Sequence, residues 1–403
     1  MFSHHIVWES SILICWRRPI LYNSCMKNSQ YEWTSILFIL AIHGGFLVAT
    51  PLYLIYSPWN WAAFSVWCLI YTLAALGITA GYHRFFSHRT YQVHPIVEIL
   101  YLFLWCIWFA GSAATWSYDH RIHHAKTDTM EDPYSIKRWF WFAHMGWFLL
   151  KRPAMDPTKI PDLWSSKWVR FQHNHYHQIA ININLIIVFV MAYLTDWASS
   201  VYLCLLAWMF VFHHSMFFIN SLAHTWGSKT YAKELTAVDN FLLAFFTFGE
   251  WYHNYHHAFP NDYRNGISWY HFDPTKWLIW ILEKLHLAKN LRSKDGLVIR
   301  ANLVQKDLKM VLDTLRAKLP DAPTREAMII RFSSVAEDFE RKVNELYNQL
   351  QIYRELLQER KSDVLIYLKK LECRNIQKEL RISWKLWKEM VEHCDRRYVL
   401  LEH

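Results

Sequence analysis

The sequence predicts an all-α integral membrane protein: four transmembrane helices, interfacial helices, a cytosolic histidine-rich domain and a helical C-terminal tail. Three observations predict it. The 403 residues are 53% hydrophobic and 17% aromatic, and up to about Leu287 the apolar residues gather in long runs. Clustered histidines sit at the edges of those runs. After Lys289 the chain becomes rich in Lys, Arg and Glu and steps at a helical period. The mean hydropathy of -0.01 averages these unlike parts.

The first 33 residues read as a cytosolic N-terminal segment. Arg17 and Arg18 follow a short apolar patch with no clean h-region or small-residue cleavage site, so no signal peptide is expected. The first span covers about 34–56, enough to cross ~30 Å of hydrocarbon. His43, Gly44 and Gly45 interrupt it, which a packed membrane helix tolerates. Pro58-Trp59-Asn60 makes a turn, and the second span covers about 61–80. His83 and His88 follow at once. A further apolar run at 95–114, opened by Pro95, is long enough to cross. Crossing would put His83 and His120 on opposite sides, so this run is read as an interfacial helix.

The region 118–177 is polar and aromatic and crowded with Lys and Arg. The third and fourth spans cover about 179–194 and 199–219, with Thr195-Asp196 at the turn. Neither short turn holds a Lys or Arg, so the positive-inside rule places the long basic loop in the cytosol. Four spans return the chain to that side, where His224 and His253 join His83 and His120.

The formal charge is +9. Its carriers lie beside apolar spans, which fits anionic headgroups or an acidic substrate better than nucleic acid. Seven cysteines without a C-x-x-C pair, several inside apolar runs, are not a disulfide framework and fit a reducing cytosolic face. In the tail, Phe332, Val335, Phe339, Val343, Leu346, Leu350, Tyr353 and Leu357 step by three or four residues. This predicts a coiled coil or helical hairpin, separated by Pro320 and Pro323 from a helix over 303–319.

The chemistry is carried by the histidines. His120, His123 and His124 have H-x-x-H-H spacing, and His253, His256 and His257 repeat it. His83 and His88 have H-x-x-x-x-H spacing, and His224 follows Asn220 in N-x-x-x-H. Positions i, i+3 and i+4 share a helix face, so each triplet is expected to aim several imidazoles at one point. Neutral imidazoles suit iron, zinc or copper. Nine are too many for one four-ligand structural zinc site and about right for two metals. Two redox-active irons could activate dioxygen and remove hydrogen from an unactivated C–H bond, which side chains alone cannot do. His144, His173, His175 and His177 read as interfacial or structural. His213 and His214, inside the fourth span, read as lining a wet cavity. A non-catalytic metal-binding or transport protein is the rival class. It predicts polar residues continuing across the spans, and these are mostly apolar.

Four ordered stretches carry a resemblance. They are the run from Ala75 to Arg89, the run from Asp119 to His124, Asn220 to His224, and Gly249 to His257. Together they resemble the membrane fatty-acyl desaturases, especially the stearoyl-CoA (delta-9) group, over about 34–289. The resemblance implies two iron ions held by His83, His88, His120, His123, His124, His224, His253, His256 and His257, with Asn220 reaching iron through water. It implies dioxygen as co-substrate and a long-chain saturated acyl-CoA that receives a cis double bond. An acyl-lipid desaturase and a fatty acid hydroxylase are the alternatives within this class. Trp116 matches a residue at the bend of an acyl tunnel, and Tyr71 and Ala75 match positions near its closed end, with helix packing as the plain alternative. Lys151, Arg152 and Asp119 match CoA contacts; lipid headgroups would suit the basic pair equally.

There are departures. Trp251 stands where a Gly is usual, Met216-Phe217 replace Thr-Trp, Ala110 replaces Gln, and Tyr118 replaces an Arg. They bear on bend geometry, regioselectivity and carrier more than on the metals. The expected division is residues 34–289 as desaturase domain and 290–403 as a helical extension that packs on itself or binds a partner. The extension lacks the His-Pro-Gly-Gly motif of a fused haem-binding domain, so a separate cytochrome-type or ferredoxin-type electron donor is expected. The membrane would be the endoplasmic reticulum in a eukaryote and the inner membrane in a bacterium.

Overall fold

A computed structural model describes residues 31–398. The expected N-terminal segment, with Arg17, Arg18, Cys15 and Cys25, lies almost wholly outside the described residues. The chain separates into two compact units, one ending at Ser293 and one beginning at Lys294.

In the first unit, four helices are long and apolar enough to cross a membrane: α1 (Trp33–Tyr56), α2 (Trp61–Ser87), and the later pair Tyr176–Leu194 and Trp197–His224. The first and third end where hydropathy placed them, whereas Trp61–Ser87 and Trp197–His224 run past the bounds read from hydropathy because polar residues extend their last turns. Beyond Leu76, α2 unwinds into wider turns over Gly77–Ser87, and the amide of His88 donates to the carbonyl of His83 at 3.1 Å. Gly81 in this stretch lies against Tyr101, whose ring atoms would sit 2.7 Å from a β-carbon. The span therefore carries His83 within its own last turns.

The ambiguous run resolves into α3 (Pro95–Cys106), twelve residues or about 18 Å of helix, too short to cross. It ends where Phe109 (φ 52°) and Gly111 (φ 96°) turn the chain. Ser112 then caps α4 (Ala113–Lys126), accepting from the amide of Thr115 at 3.2 Å. Shorter helices α5 (Phe140–His144) and α6 (Lys167–Asn174) follow, then the spans α7 (Tyr176–Leu194) and α8 (Trp197–His224). The unit closes with α9 (His253–Ala258) and α10 (Pro274–Lys284). Strand β1 (Gln92–Val93) pairs antiparallel with β2 (Ala288–Lys289), the one sheet among the described residues.

The two short inter-span turns are tied together: Asn60 donates to Asp196 at 2.8 Å, and Asp196 caps α8 by accepting from Ser199 at 2.7 Å. Outward faces of the spans expose Leu37, Leu40, Leu47, Ile186 and Phe189, while Arg84, His83 and Glu250 are buried. That inversion is what an apolar solvent selects.

The second unit is a bundle of α11 (Gly296–Lys318), α12 (Ala322–Gln358) and α13 (Asp363–Tyr398). Asp321 caps α12 with Pro323 in its first turn, so the proline pair starts a helix as well as ending one. Phe332, Phe339, Val343 and Leu346 of the expected stripe are buried, whereas Leu357 at its end is 47% exposed. The third helix, α13, was not legible in the stripe; it supplies Leu380 and Trp387 to the same core.

Candidate metal centre

The nine histidines converge as two groups. His83, His88, His120, His124 and His256 form one; His123, His224, His253 and His257 form the other; within each, the ligand atoms lie within 4.8 Å of one another. The Nε2 atoms face inward. His83 and His124 each approach His256 at 2.9 Å, and His88 meets His120 at 2.9 Å. In the second group His253 lies 3.1 Å from His224 and from His257, and His257 lies 3.2 Å from His123. Nitrogens bound about 2.0–2.1 Å from one ion and at right angles stand roughly 3 Å apart. A hydrogen-bond network does not explain the packing, because a neutral imidazole has one N–H for two nitrogens. The donor set fits two metal ions.

One expectation is corrected here. Neither H-x-x-H-H triplet aims at one point. Successive residues turn about 100° around a helix, so i+4 lies about 40° to one side of i and i+3 about 60° to the other. In α4, His120 and His124 serve the five-histidine group and His123 serves the other. In α9, His253 and His257 serve the four-histidine group and His256 crosses to the first.

The outward Nδ1 atoms are buttressed differently. His83 Nδ1 lies 2.5 Å from Glu250. Arg84 donates to Glu250 at 3.0 Å and to both oxygens of Asp273, and Asn265 donates to Glu250 at 3.0 Å. Gly249, just before Glu250, has φ 97°, and an added β-carbon would meet Asp273 at 2.7 Å. In the second group His123 Nδ1 bonds Asp132 at 2.9 Å, and His224 Nδ1 bonds the Thr236 hydroxyl at 2.8 Å. Thr236 in turn donates its amide to Asp128 at 2.7 Å. Acceptors on the Nδ1 side keep the proton there and leave Nε2 free to ligate. Burial, added to by neighbouring imidazoles, holds His88, His120, His124, His256 and His257 well below the ordinary histidine range, and burial does the same for His253 beside His224. They are neutral at physiological pH, the state that binds metal. Burial would raise the Glu250 carboxyl, but His83 and Arg84 hold it below its usual range.

The carboxylates were missed in the sequence because they are not ligands. Glu250, three residues before His253, and Asp132, nine after His123, carry no spacing signal of their own.

Both groups open onto one cavity, partly open to solvent, with about 100 Å³ of space for the centre of a water-sized sphere. His83, His120, His123 and His253 line it with Trp116 and Asn220; Ile78, Phe109, Ala110, Phe212, Met216 and Phe217 are among its apolar lining. Trp116 stacks on His120, centroids 4.8 Å apart. Asp119 and Arg152 line the cavity as an ion pair, while Lys151 is exposed and off its wall. Tyr71 and Ala75 do not line it. Tyr71 packs edge-on to Trp108 and Trp208, its hydroxyl donating to Ser215 at 3.3 Å. The Ala75 carbonyl accepts from Thr79, which does reach the wall. Three departure positions, Ala110, Met216 and Phe217, are on the wall; Tyr118 and Trp251 are in the packed interior. His213 lines the cavity, and His144 bonds His214 and Ser221 at 3.0 and 3.1 Å. His175 and His177 are exposed, and neither belongs to a histidine group.

Fold and site define a multi-helix membrane protein with a histidine-built metal site against an apolar cavity. The profile of the family described as fatty acid desaturase matches residues 59–288, more than half of the chain. The chain belongs to the fatty acid desaturase family. It is 38% identical over 248 residues to acyl-CoA desaturase 1 of Saccharomyces cerevisiae, covering 60% of this chain and 48% of that one. It is 39% identical over 274 residues to the probable acyl-CoA desaturase of Schizosaccharomyces pombe, covering 67% and 57%. Against the stearoyl-CoA desaturase of Homo sapiens it is 30% identical over 288 residues, covering 68% and 78%. The chain thus spans about half the length of the two fungal relatives.

Proposed function

We propose that the protein is an acyl-CoA desaturase that uses two irons, dioxygen and two electrons to insert a cis double bond, at the delta-9 position, into a saturated acyl chain. The balance is one saturated chain, one dioxygen, two electrons and two protons giving one alkene and two waters. The observation that carries this reading is the paired histidine groups on the wall of an apolar cavity. Relatives named acyl-CoA and stearoyl-CoA desaturases support it. In this reading the nine histidines would hold two irons, and Asn220, on the same cavity lining as His123 and His253, would complete the four-histidine group through water. The irons supply the oxidant for an unactivated C–H bond.

The chain's own residues supply the rest. Phe109, Phe212, Met216 and Phe217 bind the alkyl chain and exclude water from the wall. Trp116, fixed against His120, sets where the chain passes the histidines. Ala110 and Met216 set the bend. Arg152 meets the carrier at the mouth, with Asp119 holding the guanidinium in place.

A second reading, an acyl-lipid desaturase, has a specific observation behind it: Arg152 already has a carboxylate partner, which weakens its claim on CoA phosphates. Among the relatives is an sn-1 stearoyl-lipid 9-desaturase from Anabaena variabilis, 32% identical. The electron donor is a separate cytochrome-type or ferredoxin-type protein, and the histidine groups face the cytosol.

The test is expression in cells unable to make monounsaturated fatty acids, with analysis of total lipids and of acyl-CoA separately. New delta-9 chains appearing first in acyl-CoA are expected. First appearance in intact lipids would favour the second reading, and hydroxylated products without alkenes would overturn both.

A further inference from the structure

The C-terminal unit has an apolar face that its own core does not use. On α13, Cys373, Leu380 and Trp387 stand seven residues apart and are buried in the bundle. On the opposite side Val364, Leu368, Leu371, Asn375, Lys378 and Ile382 step by four, three, four, three and four residues. That is the a/d spacing of a coiled-coil seam. Val364, Leu368, Leu371 and Ile382 are 67, 54, 42 and 63% exposed. A row of exposed Leu and Ile on a charged helix marks an interaction site.

The charges beside the seam select its occupant. Arg374 and Arg381 flank one side, and Glu372 and Glu379 flank the other, all four exposed. If two α13 helices ran parallel, Arg374 of one copy would face Glu379 of the other, since a g position meets the e position five residues on. An antiparallel pair would set Arg against Arg and Glu against Glu. Asn375 at a central a position would meet its own copy, the arrangement that fixes register in parallel dimers. Glu372 bonds Lys369, and Glu379 lies 3.5 Å from Lys342. In both the glutamate is exposed and the lysine partly buried, and such pairs at a surface are weak.

We infer that α13 pairs with α13 of a second copy of this chain as a parallel two-stranded coil along Val364 to Ile382, making the protein a homodimer through its C-terminal unit. This is independent of the reaction.

The test uses the full-length protein in nonionic detergent and in liposomes. Light scattering on a concentration series is expected to give a dimer. Leu368→Glu with Leu371→Glu should raise the dissociation constant on the order of 100-fold or more. Because that pair could unsettle the bundle, charge variants keep the test open. Arg374→Glu with Arg381→Glu should weaken the dimer, and adding Glu372→Arg with Glu379→Arg should restore it. Asn375→Cys should give a disulfide-linked dimer under mild oxidation, while Gln377→Cys, off the seam, should not. A monomer at all concentrations overturns the inference, as does a dimer indifferent to the Leu variants. Failure of Asn375→Cys to cross-link within an intact dimer also overturns it. Shielding of that cysteine in liposomes but not in detergent would assign the face to lipid instead.

Discussion

The five-histidine and four-histidine groups are built from the same kinds of parts and held in unlike ways. Each draws on α4 and on α9, one taking two ligands from α4 and the other two from α9. Their remaining ligands differ: His83 and His88 stand at the end of a span, whereas His224 ends the other span with Asn220 one turn before it. The first group rests on a buried ionic network of Glu250, Arg84 and Asp273. The second rests on Asp132 and on a hydroxyl relay from Thr236 to Asp128. The difference teaches that one shared pair of helices can set the distance between two histidine groups while separate supports set the chemistry of each.

Loss of a ligand should have the largest effect. His120→Ala, from the five-histidine group, and His253→Ala, from the other, are each expected to abolish turnover while the membrane protein stays folded. Metal analysis sharpens the comparison: independent groups would each lose one ion, whereas coupled groups would lose both together. His175→Ala should be mild, since it lies outside both groups. Equal loss there would mean that the site has been misassigned.

Support residues come next. Glu250→Gln should lower metal affinity about 10–100-fold at the five-histidine group alone, and Asp132→Asn similarly at the four-histidine group alone. Titration of the metal-free protein, followed by ion release, reads each site. A change at both sites from either variant would break the picture of separate supports. Asn220→Ala belongs with these. If it completes the smaller group, it affects the same ion as Asp132→Asn, and indifference of both ions would remove Asn220 from the site.

Much of the histidine cluster was legible because histidine spacing is a short-range property of helices. Its division was not. Assigning His123 and His256 away from their neighbours requires the angle around the helix and the presence of a second helix facing the first. The supports were less legible still. Glu250 and Asp132 are common residue types at unremarkable spacing, and only the fold brings them to Nδ1 atoms. The spans were readable from apolar runs, but α13 hid behind its charges: its core residues Cys373, Ile376, Leu380, Trp387, Val391 and Cys394 keep helical spacing but stand among Lys, Arg and Glu. Tyr71 and Ala75 mark the limit in the other direction. The resemblance placed them near the closed end of a tunnel, while the ring partners of Tyr71, Trp108 and Trp208, lie far away in sequence.

The smallest expected effect concerns Asp239, which holds α9 in place and so bears most on the group that takes two ligands from it. Its carboxylate accepts from the amide of Tyr255 at 3.1 Å. Burial pushes its pKa up to about 7, against the opposing amides of Tyr255 and Asn254. The unfolded chain releases this proton near 3.9. Between those values the folded state binds more protons than the unfolded state, so stability falls as pH rises and the loss is complete above about 7. Asp239→Asn keeps an acceptor for Tyr255 and carries no charge. The variant should match the parent only below about pH 4, where Asp239 is protonated in the folded and the unfolded chain alike. Its advantage should grow from there to about pH 7 and then level off, at about 1.4 kcal/mol for each unit by which the folded and unfolded pKa values differ. Thermal unfolding of the metal-free protein across this range measures it. Loading with metal should shrink the difference, because nearby cations favour the charged carboxylate. A variant less stable than the parent at every pH would show that Asp239 acts through its charge and not through the amide it accepts.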